Sequence, residues 1–118
     1  MAVTSLTANA LVKDTVSADL VISGGTAIDA TKTMQVSYPI EGKLLLVINN
    51  TYAGSKNITL KAGSFLSAGQ GDYTFAVGQD DVVYLTVSST RFKDSDGYLN
   101  ITFDTGTTGF VRAIALPY

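Results

Sequence analysis

The sequence predicts an all-β protein, an antiparallel β-sandwich drawn most simply as an eight-stranded jelly roll. Three observations predict it. Short windows of apolar and polar alternation recur along the chain, each bounded by Gly, Pro or Asp. No window of ten or more residues carries apolar side chains at the 3.6-residue helical spacing. The length, 118 residues, suits one domain that can bury roughly 65% of the surface its unfolded chain exposes. About eight antiparallel strands in one domain bury their apolar sides by packing as two sheets face to face. A seven-stranded immunoglobulin-like sandwich is the alternative, although the Cys and Trp hallmarks of that family are missing here.

Residues 1–14 (MAVTSLTANALVKD) stand apart as an N-terminal arm ahead of a single domain over residues 15–118. The segment lacks a basic start, and Thr, Ser and Asn interrupt its apolar residues. It reads as a poor signal peptide and is too short and polar to span a bilayer. Residence in the cytoplasm until assembly is therefore expected. The arm is either a loose end or a docking segment, and Val3, Leu6, Leu11 and Val12 are more apolar than a solvated tail requires.

The strands follow in order. In residues 15–22, Val16, Ala18, Leu20 and Ile22 point one way and Thr15, Ser17 and Asp19 the other, with Gly24-Gly25 ending the element. Residues 32–38 repeat the alternation with Met34, Val36 and Tyr38 inward, and Pro39 stops it. Residues 44–48 (LLLVI) are continuously apolar, the pattern of a strand buried on both faces. Residues 49–55 break that run, and residues 57–61 (NITLK) return as a strand with one buried face. Gly69 and Gly71 mark a loop with Phe65 and Leu66 tucked beneath it. Tyr73, Phe75 and Val77 alternate next, and residues 78–81 (GQDD) read as a hairpin-like interruption. Residues 82–88 set Val83, Leu85 and Val87 on one face, leaving Val82 and Tyr84 on the other as if they touched something. Asp94-Ser95-Asp96-Gly97 is a turn signal. Leu99, Ile101 and Phe103 then point inward, and residues 110–116 close the domain as a strand apolar on both faces apart from Arg112.

Charge narrows the function classes. Eight Lys and Arg against ten Asp and Glu give a net charge of −2, so no basic surface is expected to collect phosphates and nucleic acid is not an expected partner. Charged residues make up 15% of the chain, where about 25% is typical. Much of the surface must then be Thr, Ser, Asn, Gly or apolar, which suits a protein that hides surface against neighbours. With no cysteine, neither a disulfide nor a thiolate metal site can add stability, and the core and any oligomer interface must supply it.

The residues do not spell out a reaction. Histidine is absent, which removes the commonest general base and metal ligand. Ser and Thr are plentiful but have no obvious activating partner. An enzyme is not expected, and no catalytic, cofactor or metal residue is assigned. Asp80 and Asp81 would face opposite ways on a strand and so could not share a proton; they read as loop charges. Asp94-Ser95-Asp96-Gly97 begins like a calcium loop but lacks the third oxygen ligand and the closing Glu, which favours a turn. Gly69-Gln70-Gly71 has no helix and no Lys-Ser or Lys-Thr after it, so it is a turn and not a phosphate loop. Tyr38, Tyr52, Tyr73, Tyr84 and Tyr98 would make a sugar-binding platform if grouped on one exposed face, and otherwise line the core or an interface.

Three stretches carry a family resemblance. They are residues 42–50 (GKLLLVINN) leading through 56–63 (KNITLKAG), residues 89–103 (STRFKDSDGYLNITF), and residues 111–116 (VRAIAL). Their layout resembles the small auxiliary, or decoration, proteins of tailed bacteriophage capsids. The resemblance implies a β-sandwich, often a jelly roll, forming homotrimers at threefold and quasi-threefold positions of the outer capsid surface. There it would cement neighbouring copies of the major capsid protein, with no cofactor, nucleic acid or membrane involved. Val82, Tyr84, Phe110 and Arg112 are the expected trimer contact, and Val3, Leu6 and Leu11 the expected capsid contact. Arg112 is either paired with a carboxylate across an interface or on the solvent side of the last strand. A carbohydrate-binding or fibre-associated module of a phage head or tail is the competing class, followed by a tail-tube or pilus subunit and a small hydrolase.

Overall fold

The computed structural model describes residues 3–12, 14–17, 20, 25–37, 43–63, 69, 71–87 and 90–116. They form ten strands: β1 (Val3–Leu6), β2 (Asn9–Ala10), β3 (Thr26–Ala27), β4 (Thr33–Ser37), β5 (Lys43–Asn49), β6 (Lys56–Leu60), β7 (Tyr73–Val77), β8 (Val82–Val87), β9 (Tyr98–Phe103) and β10 (Phe110–Leu116). One 3₁₀ turn, Thr90–Phe92, precedes β9, and no α-helix occurs among the described residues. The all-β expectation holds at that level. The first sheet has the order β1-β4-β9-β6-β7, and the second the order β2-β10-β5-β8, with β3 beside the start of β10.

The sheets are mixed, which corrects the purely antiparallel expectation. β1 runs parallel to β4, and β2 runs parallel to β10. The remaining ladders are antiparallel. A parallel pair needs a long return path, and residues 7–32 between β1 and β4 provide it. The segment expected as an arm thus supplies an edge strand to each sheet, crossing from one to the other at Thr7-Ala8.

Apolar alternation fills the space between the sheets. From the first sheet come Leu6, Met34, Val36, Ile58, Leu60, Val77, Leu99 and Ile101, all buried. Leu44, Leu46, Ile48, Val87, Val111 and Ala113 meet them from the second. β5 lies between β10 and β8, and its Leu44, Leu46, Val47 and Ile48 are buried, while Leu45 on the outer face, which the uninterrupted run also placed inside, is half-buried. The expected strand at residues 15–22 does not form among its described residues. Asp14 sits at φ 57°, and Thr15 N–H donates to the Val12 carbonyl at 3.3 Å, so the chain turns there instead. Val16, expected inward, is 95% exposed. Tyr38, Phe65 and Leu66 lie outside the described residues.

Most connections cross between the sheets. β5 and β6 belong to opposite sheets, as do β7 and β8, and β9 and β10. The interruption at residues 78–81 is therefore an arch and not a hairpin. Asn50 explains how the arches hold. Fully buried, it donates through Nδ2 to the Gly54 carbonyl at 2.8 Å and the Val77 carbonyl at 2.9 Å. Its Oδ1 accepts from Tyr52 N–H at 3.0 Å, while its backbone joins Asp80 and Asp81. Beside it, Asn49 Oδ1 accepts from Phe110 N–H at 2.7 Å, and Thr51 N–H donates to the Thr108 carbonyl at 2.9 Å. Three arches are thus tied together at one end of the sandwich, with every side-chain donor and acceptor of Asn50 satisfied.

Candidate functional site

The residues expected to touch partners fall in three places. Val82 and Tyr84 stand on the outer side of β8, 40% and 70% exposed. Phe110 and Arg112 are half-buried on β10, on the same outer face but separated from β8 by β5. Pairing aligns Tyr84 with Val47 and Val47 with Arg112, so these three form one row across the sheet. About 10 Å separates the outer strands of that row. Arg112 Nη1 donates to Asn9 Oδ1 at 2.8 Å, which places this charge against the β2 segment within its own chain.

The N-terminal set divides. Val3 is 43% exposed on edge strand β1. Leu6 is 6% exposed and belongs to the core cluster, so the expectation that it contacts a capsid is corrected. Its side chain points to the inner face because β1 registers Leu6 with buried Val36. Leu11 is half-buried and its N–H donates to the Ala115 carbonyl at 2.9 Å, continuing the path of β2.

The tyrosines do not form one platform. Tyr98 stands on the outer face of the first sheet, Tyr52 lies in the β5–β6 arch with Lys56 Nζ 4.2 Å from its ring centre, and Tyr38 is outside the described residues. Tyr73 and Tyr84 do share a place. They line an open groove of about 220 Å³ with Phe75, Ala76, Val83 and Leu85, between edge strand β7 of one sheet and edge strand β8 of the other. Neither strand contains a charged residue or proline. Sequence reasoning left Tyr73 between a platform, the core and an interface; it is 43% exposed on edge strand β7, with no strand described beyond it and Arg91 Cζ 5.8 Å from its ring centre. No sequence signal singles out this groove, since β1 to β4 are as free of charge as β7 and β8.

The carboxylates have local duties. Asp94 Oδ1 accepts from the N–H groups of Asp96 and Tyr98, both at 2.9 Å, and its Oδ2 accepts from Asn100 Nδ2 at 2.8 Å. Partial burial opposes ionisation, but the donors from Tyr98, Asn100 and Asp96 outweigh it and hold this carboxyl below its ordinary value. Asp94 therefore organises the turn that Gly97 completes at φ 86°. Asp72 is held low by the Ala62 N–H and by Lys61, whose Nζ lies 2.7 Å away. No group of three or more acidic residues able to hold a metal occurs among the described residues. Comparison with protein families, curated proteins and solved structures finds no match to this chain.

Proposed function

We propose that this protein is a structural component of a tailed-phage virion, a decoration protein that binds the outer surface of the head and stabilises it as a trimer. One observation carries the reading: the side of the sandwich formed by β7 and β8 exposes Tyr73, Val82 and Tyr84 on two strands without a single charge. Surface of that kind is normally covered by another protein. The resemblance of residues 42–116 to decoration proteins names the assembly, and the jelly-roll topology belongs to the same reading. Val82 and Tyr84 form the trimer side, while Phe110 and Arg112 share that outer face beyond β5, Arg112 held by Asn9 of its own chain. Val3 and Leu11, at the opposite edges of the two sheets, face the capsid. A trimer gains from multivalency, since three weak contacts on three capsomers reinforce one another.

Imaging of intact particles carrying this protein tests the proposal. Density for the chain is expected on the head exterior at threefold positions, and heads lacking it should break at lower temperature. Absence of exterior density defeats it. One feature favours the carbohydrate class, namely that Tyr73 and Tyr84 line a single groove with Phe75. Saturable binding on a glycan array, lost in Tyr84→Ala, would move the assignment there.

A further inference from the structure

We infer that Asp96-Gly97 is a covalent modification site, a peptide bond set to rearrange to isoaspartate, and that Asp94 is the positioning residue that keeps it closed in the folded chain.

An aspartate followed by glycine is the pairing most open to this reaction, because glycine brings no side chain against the ring that must form. Asp96-Gly97 is the only Asp-Gly or Asn-Gly in the sequence. The fold leaves the pair in the open. Asp96 is exposed, and beyond the chain neighbours of Gly97 no atom stands within 4 Å of where a Cβ would lie on it. In the reaction the Gly97 nitrogen gives up its proton and attacks Asp96 Cγ. A new C–N bond forms, one carboxyl oxygen leaves as water, and a succinimide results. Water then opens the ring. Attack at Cγ restores aspartate, whereas attack at the main-chain carbonyl breaks the original C–N bond and sends the backbone through the side chain. One water leaves and one returns, so no other reagent is needed.

The turn opposes ring closure. Gly97 N–H, whose proton must leave, donates to the Asp94 carbonyl at 3.0 Å. On either side of it, the N–H groups of Asp96 and Tyr98 donate to Asp94 Oδ1, both at 2.9 Å, and Asn100 Nδ2 holds Oδ2 at 2.8 Å. Bringing the Gly97 nitrogen onto Cγ requires rotating the peptide plane between Asp96 and Gly97, which breaks the contacts with Asp94. The reaction therefore proceeds from an opened turn, and its rate follows how often the turn opens. The product cannot close in the same form. A backbone lengthened by one methylene displaces Tyr98, which starts β9 opposite Ser37 and precedes the bridge between Leu99 and Lys93.

Ageing of the full chain at neutral pH over several weeks tests this, with isoaspartate read by enzymatic carboxyl methylation and located by peptide mapping. In urea the modification is expected at Asp96, and in the folded protein it should accumulate about tenfold more slowly or less. Asp94→Ala should raise the folded-state rate about tenfold, the factor that losing one hydrogen bond to a charged acceptor gives an opening equilibrium. Asp72→Ala, which loses a comparable contact with the Ala62 N–H, should keep the parent rate. No isoaspartate at Asp96 in urea overturns the site. A folded parent that rearranges as fast as the unfolded chain overturns the protection, as does an Asp94→Ala rate equal to the parent's or matched by Asp72→Ala. If Asp94→Ala does not fold, hydrogen exchange of the parent decides: protected Gly97 and Tyr98 amides uphold the inference, and exchange at the unfolded rate overturns it.

Discussion

Asn50 is the residue whose loss the fold should feel most sharply for its size. It satisfies Gly54 O, Val77 O and Tyr52 N–H from a fully buried position. Asn50→Ala strands these groups, at about 1–3 kcal/mol for each that stays buried. A loss of about 3 kcal/mol is expected, read as a fall in Tm on the order of 10 °C. Gly109 acts nearby by making room: its φ is 139°, and an added Cβ would stand 2.3 Å from the Asn49 carbonyl oxygen. Asp94 governs an acid response. Its folded pKa lies below the ordinary 3.8, so the unfolded chain binds its proton first as pH falls. Its contribution is complete above that value and disappears as pH drops through the lowered one. Denaturant midpoints measured from pH 7 downward should therefore show a shallower acid-side decline for Asp94→Asn than for the parent protein.

At the scale of elements, the decisive case is the N-terminal segment. Apolar residues at Val3, Leu6 and Leu11 do not say whether they cover the chain's own core or a partner. Structure divides them, burying Leu6 and leaving Val3 half in water. Leu6→Ala should cost about 2–4 kcal/mol by leaving a cavity, whereas Val3→Ala should stay within about 0.5 kcal/mol. Chemical denaturation of both variants checks the pair, and equal small effects would mean that β1 is not seated in solution. Edge strand β8 shows the complementary case. Its alternation correctly assigns Val82 and Tyr84 outward, but an outward position on a sheet and an unpaired edge are different kinds of exposure, and pairing alone tells them apart.

For the whole molecule, the small share of charge makes a prediction about assembly. An interface built from β7 and β8 carries no ion pair, so screening has little to act on. The trimer dissociation constant should change less than about twofold between 50 mM and 500 mM NaCl by sedimentation; a tenfold weakening would point to a charged contact elsewhere. The sequence by itself determined the all-β class, the inward sets at Met34 and Val36, Ile58 and Leu60, and Leu99 and Ile101, the doubly buried run of β5 and the turn at Asp94-Gly97. Each is decided within a few residues, where period-2 alternation or a left-handed glycine is sufficient. Tertiary structure alone decided which sheet each strand joins, that residues 3–10 edge both sheets, that residues 15–17 turn away, and that among the described residues β7 and β8 end the two sheets on one side. Alternation specifies which side of a strand is apolar but not which strand lies beside it. That choice is made by contacts distant in sequence, such as Asn50 with Val77 and Thr51 with Thr108.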